Sequence, residues 1–106
     1  MAELISGTLD LLILRVLNSG PLHGFGIGER LYVLSKEVLT VEEGSLYPAL
    51  YRMEAKGWIT AEWGESDKGR KAKLYSLTKS GRKQLEAERM IWSKMGVAIG
   101  DVLKNA

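Results

Sequence analysis

Apolar residues early in the chain recur at helical spacing. From Thr8 to Asn18 they fall at Leu9, Leu12, Ile13, Val16 and Leu17, one helix face, and Leu11 and Leu14 widen the stripe to most sides. Such a helix expects burial from more than one direction. Asn18-Ser19-Gly20-Pro21 ends it, because glycine takes a left-handed cap and proline cannot continue the hydrogen-bond ladder. A second helix is predicted over Gly24 to Lys36, with Ile27, Leu31 and Leu34 on one side. Gly24, Gly26 and Gly28 weaken its start by up to about 1 kcal/mol each and let backbones come close there. A third helix is predicted to begin at Ser45, whose hydroxyl can cap the first amides, with Pro48 in the first turn. Leu46, Leu50 and Met53 form its inner face, and Gly57 stops it.

The period then changes from helical to two. Ile59, Ala61 and Trp63 alternate with Trp58, Thr60 and Glu62, and a second alternating run spans Lys73 to Leu77. Ser66-Asp67-Lys68-Gly69 between them is turn chemistry, so the pair reads as a β-hairpin. Trp58 and Trp63 are expected in the core or an interface. Thr78 offers a cap for a final helix to about Lys104. Three helices, a hairpin and a long helix predict an α+β, mainly α fold: a winged helix-turn-helix over residues 1–78, then a dimerisation helix over 79–106.

At 106 residues with 45% hydrophobic content, the chain has material for one small domain. No apolar run approaches a membrane span and no basic-then-apolar leader opens the chain, so a cytoplasmic protein is expected. Cysteine is absent and histidine occurs once, at His23, without clustered acids. No thiolate metal site, disulfide or Cys–His pair can be assembled, no Ser–His–Asp set is read around the lone histidine, and no metal, cofactor or enzymatic activity is expected. His23 itself reads as solvated or locally hydrogen-bonded. The net charge of +2 says little about partners, but its distribution says more. Lys68, Arg70, Lys71 and Lys73 lie together at the hairpin turn with no acid between them, which suggests a defined anionic contact.

With Leu46, Leu50 and Met53 turned inward, helix periodicity places Tyr47, Tyr51 and Arg52 towards the outside of the third helix, beside Ser45. Arginine can pair two-fold with guanine, and tyrosine and serine hydroxyls can bond phosphate or base edges. The helix N-terminus adds amides and a dipole that favour phosphate. Double-stranded operator DNA is the partner these residues suit, with Lys68, Arg70, Lys71 and Lys73 on the flanking phosphates. In the last helix, Leu85, Trp92, Met95, Ile99 and Val102 repeat at intervals of seven, three, four and three, an a/d-like seam. A second copy of the chain is the economical cover for that seam, with Leu9 and Leu12 of the first helix supplying further surface. The competing reading is a protein-interaction module built on the same winged scaffold.

The chain resembles the PadR family of transcriptional regulators. The stretches that carry the resemblance are Gly7-Thr8-Leu9-Asp10-Leu11-Leu12-Ile13-Leu14, Gly20-Pro21-Leu22-His23-Gly24-Phe25, Gly44-Ser45-Leu46-Tyr47-Pro48-Ala49-Leu50 through Gly57-Trp58-Ile59, and Tyr75-Ser76-Leu77-Thr78-Lys79-Ser80-Gly81. It implies a homodimeric repressor on an inverted repeat, a phosphate contact by Tyr47, and a hairpin acting as the wing. The single C-terminal helix resembles the short subfamily. In multidrug-binding members of that subfamily a matching tryptophan pairs across the dimer and sandwiches flat compounds. This implies Trp92 as a binding residue for a planar aromatic small molecule, the alternative being that Trp92 fills the seam.

Overall fold

The structure, a computed structural model, describes residues 7–65 and 69–106. Seven elements follow one another: α1 (Thr8–Asn18), β1 (Leu22–His23), α2 (Gly24–Leu34), α3 (Glu43–Ala55), β2 (Ile59–Glu65), β3 (Lys71–Leu77) and α4 (Lys79–Asn105). The apolar sides of α1 find cover from several directions. Ile13, Leu14, Val16 and Leu17 are buried, and the helix touches α2, α3, α4 and β3. Gly20, at φ 146°, takes the positive-φ position that ends it.

Helix α2 stops two residues short of the expected Lys36. Lys36 and Glu37 adopt φ values of 56° and 66°. The Lys36 amide donates to Val33 O and the Glu37 amide to Tyr32 O, at 3.0 and 2.7 Å. This is a Schellman closure built without glycine, which composition does not announce. Helix α3 ends in the same motif at Gly57, φ 77°, with Gly57 N donating to Glu54 O and Trp58 N to Met53 O.

The start of α3 differs from expectation. It begins at Glu43, and Glu42, not Ser45, is the N-cap. The Ser45 and Leu46 amides donate to the Glu42 carbonyl at 3.0 and 2.9 Å, so Ser45 lies inside the helix and caps nothing. Pro48 therefore sits beyond the first turn and deprives the Gly44 carbonyl of its intrahelical donor. Burial of Leu46, Ala49, Leu50 and Met53 on one face outweighs both local preferences, each of them a few kcal/mol at most.

The predicted hairpin forms, within a sheet that has a third strand the sequence did not suggest. β2 and β3 pair antiparallel from Ile59↔Leu77 to Glu65↔Lys71, and β1 adds to the far side of β3 through Leu22↔Tyr75 and His23↔Leu74. Two residues between Pro21 and Gly24 carry no readable period, so only the fold reveals β1 as a strand. The hairpin projects as a wing from the body.

Helix α4 is anchored at one junction. The Thr78 hydroxyl accepts from Gly81 N at 3.0 Å and shares its proton between Gly57 O and Trp58 O, at 2.7 and 2.9 Å. The Thr78 amide also donates to Trp58 O. Gly81 is buried so closely that a Cβ there would stand 2.1 Å from the Trp58 carbonyl oxygen. Four residues on, Leu85 is 1% exposed inside the chain's own core. This corrects its expected place on the dimer seam, because it has no surface to offer a partner. Beyond Leu85 the helix is mostly exposed, with Glu88 and Trp92 half-buried.

Gly81→Ala is expected to destabilise the fold by about 2–4 kcal/mol, since backbone and not a flexible side chain blocks the methyl group. That corresponds to a melting temperature lower by roughly 10 °C or more. Gly28→Ala, which meets nothing within 4 Å inside α2, is the control and should stabilise by about 0.5–1 kcal/mol. Thermal unfolding followed by circular dichroism checks both.

Candidate nucleic-acid interface

The inward stripe of α3 leaves its remaining side chains on the surface. Ser45 and Arg52 are exposed, Tyr47 is 42% exposed and Tyr51 77%. The Tyr47 ring lies across the first residue of α2. A Cβ on Gly24 would stand 2.8 Å from Tyr47 Cε1 and 2.9 Å from its hydroxyl. The close approach expected from the three α2 glycines therefore holds at Gly24, which seats a side chain of α3, and not at Gly28, which faces open space. The Arg52 guanidinium is engaged by the Asp10 carboxylate of α1 in an ion pair and hydrogen bond. Its side chain keeps about half of its exposure, so the carboxylate orients Arg52 without covering it. Asp10 lies 42 residues away, and no local signal could have matched the two.

The longer start of α3 also changes its electrostatics. The Ser45 amide, expected to help hold a phosphate, is turned to Glu42 O, and the Glu43 carboxylate occupies the first turn, where it complements the helix dipole itself. What the α3 surface offers an anion is side-chain chemistry: three hydroxyls and a guanidinium.

On the wing, Arg70 and Lys71 are exposed and Lys73 is half-buried, while Lys68 lies outside the described residues. The Lys73 ammonium stands 5.4 Å from the centroid of the Trp63 ring, its cross-strand partner. Trp58 is half-buried against the core, with Lys56 Nζ 4.6 Å from its ring centroid. Of the two places expected for it, core or interface, Trp63 is not in the core: it is 69% exposed. His23 Nδ1 lies 3.2 Å from the Lys73 carbonyl oxygen, so the lone histidine, as its Nδ1–H tautomer, ties β1 to the base of the wing.

Under α3 sits Tyr75, 5% exposed. Burial raises its hydroxyl pKa above the ordinary 10.0, and the nearby Glu54 and Tyr47 raise it further.

Of the residues expected on the seam, Leu9 and Leu12 are half-buried against the chain's own core, and Trp92 is half-buried. Met95, Ile99 and Val102 are 49%, 51% and 64% exposed, joined by Ile91, Val97 and Leu103. Among the described residues no helix is long and apolar enough to cross a membrane.

Helices, wing and long terminal helix have counterparts among known proteins. A family model described as the transcriptional regulator PadR-like family matches residues 13–87. The chain belongs to the PadR-like family of transcriptional regulators. Its winged-helix fold matches that of solved relatives. A transcriptional regulator from Clostridium thermocellum superposes with a TM-score of 0.82 at 27% identity, covering 90% of this chain and 92% of that one. A PadR family regulator from Clostridium difficile gives 0.76 at 29% identity, covering 92% and 99%. The transcriptional regulator Rv3488 of Mycobacterium tuberculosis is 33% identical over 89 residues, 84% of this chain and 79% of the relative. In this PadR-like regulator the outward α3 residues and the basic strand pair are carried by the third helix and the wing of the winged-helix fold.

The raised Tyr75 pKa has a consequence in alkali. The folded state holds the phenolic proton more tightly than the unfolded chain does, so this contribution is full below pH 10 and is lost as pH rises through the folded value. Urea unfolding across this range should show a steeper alkaline loss of stability for the wild type than for Tyr75→Phe.

Proposed function

We propose that this PadR-like regulator is a homodimeric repressor that binds operator DNA through α3 and the wing and blocks transcription there. The observation that carries the reading is the outward face of α3. Ser45, Tyr47, Tyr51 and Arg52 stand exposed on one helix whose opposite side is core, with Arg70, Lys71 and Lys73 on the adjoining wing. Tyr47, seated on Gly24, offers a hydroxyl to phosphate, and Arg52, oriented by Asp10, offers donors to a base edge or phosphate. Lys68 joins the wing cations by sequence. Dimerisation through the last turns of α4 would place two such helices about 34 Å apart, in successive major grooves. A planar aromatic molecule held between the two Trp92 side chains would alter that spacing and release the operator.

A gel shift or anisotropy titration on duplex from upstream of the gene tests DNA binding. Tyr47→Phe should weaken binding by about tenfold, the worth of one charge-assisted hydrogen bond, and Arg52→Ala by about tenfold or more. The plot of log K against log salt should lose about 0.9 of its slope for each phosphate-contacting wing lysine changed to alanine. Absence of any complex at low salt would sink the reading and leave the scaffold as a protein-docking module.

For the assembly, light scattering should give a dimer for the wild type and a monomer for Met95→Glu or Ile99→Glu. Both side chains are about half exposed within the single chain, so their replacement should leave its fold and helix content intact. A dimer that survives both changes would remove α4 from the interface.

A further inference from the structure

The two long strands carry one face from the core out onto the wing. Side chains alternate along a strand, and directly opposed residues of an antiparallel pair share a face. Ile59, Ala61 and Trp63 therefore share one face with their partners Leu77, Tyr75 and Lys73. At the base this is the buried side of the sheet, where Ile59 and Tyr75 are covered and β2 packs against α3. Trp63 lies two residues further out, about 7 Å along the strand from Ala61, and has lost that cover. It projects to the side of the sheet on which α3 lies, 69% exposed.

Its neighbours define its chemistry. Lys73 stands opposite, with the ammonium 5.4 Å from the ring centroid. Lys71 and Glu65 form the next pair on the same face, and Glu62 lies on the other face, opposite Leu74. Among the described residues, that face is net positive. An exposed indole is unfavourable in water and brings a large apolar ring with a single donor, Nε1–H, and no acceptor. A sugar–phosphate backbone matches it, because deoxyribose offers an apolar surface and phosphate offers only acceptors.

We propose that Trp63 is a DNA-contacting residue: its indole packs on the deoxyribose–phosphate backbone beside the groove that α3 enters, with Nε1–H and the Lys73 ammonium directed to phosphate. This rests on the operator-binding reading above and assigns to the wing an apolar contact in addition to its charges. The contact positions the wing on the duplex and carries no base specificity of its own.

The test uses full-length protein and duplex from upstream of its gene. Wild type, Trp63→Phe, Trp63→Ala and Lys73→Ala are titrated by anisotropy at several salt concentrations, and acrylamide quenching of tryptophan emission is measured with and without DNA. DNA should shield tryptophan emission in the wild type, and the shielding should be absent in Trp63→Phe. Trp63→Ala should weaken binding by about tenfold without changing the salt slope, the mark of an uncharged apolar contact that releases no counterion. Lys73→Ala should reduce the slope by about 0.9. The melting temperature of Trp63→Ala should equal that of the wild type, because the ring is exposed. DNA binding with no change in quenching, or Trp63→Ala binding within about twofold of the wild type, overturns the contact and leaves the operator reading standing. A wild type that binds no duplex overturns both.

Discussion

Burial of α1 is the constraint on which the rest of the molecule depends. Its apolar residues cover so much of its circumference that no single neighbour could bury them, and α2, α3, β3 and α4 each take a side. A domain of this size has few core residues, and Ile13 and Leu14 alone reach zero exposure in α1. Each surrounding element buries part of its apolar face on this surface, and α3, packed on both α1 and β2, keeps its helix despite an interior proline and no side-chain cap. Local helix preferences are worth about 1–3 kcal/mol apiece, and the buried stripe on α3 can offset them.

The same arrangement holds the side chains on the outward face of α3 in place. Asp10 leaves the core helix to hold Arg52, and Gly24 gives up a side chain so that Tyr47 can lie across α2. At the other end of α3, the Gly57 and Trp58 carbonyls are bound by the Thr78 hydroxyl, which also starts α4. The end of α3, the root of the wing and the first turn of the long helix thus meet at one hydrogen-bonded point, sealed by the backbone contact that only Gly81 permits.

Beyond Leu85 the balance reverses. Met95, Ile99, Val102 and Leu103 are large apolar residues left in water on the distal turns of α4. The wing shows a smaller version at Trp63, where the chain exposes an indole among cations.

Much was legible from sequence because it rested on local periodicity. The span of α1, the inward stripe of α3, the alternation of the two long strands and the end of α3 at Gly57 follow from side-chain spacing and from glycine's access to positive φ, both of which act over a few residues. The outward placement of Tyr47, Tyr51 and Arg52 follows from the same spacing. Tertiary structure alone decided what depends on distant partners: β1 as a third strand, Glu43 as the first residue of α3, Leu85 as core, Trp63 as surface, and the Asp10–Arg52 and Gly24–Tyr47 contacts. A residue's own neighbours set its dihedral preferences and the face it occupies, whereas burial and pairing depend on which remote segment arrives at that face.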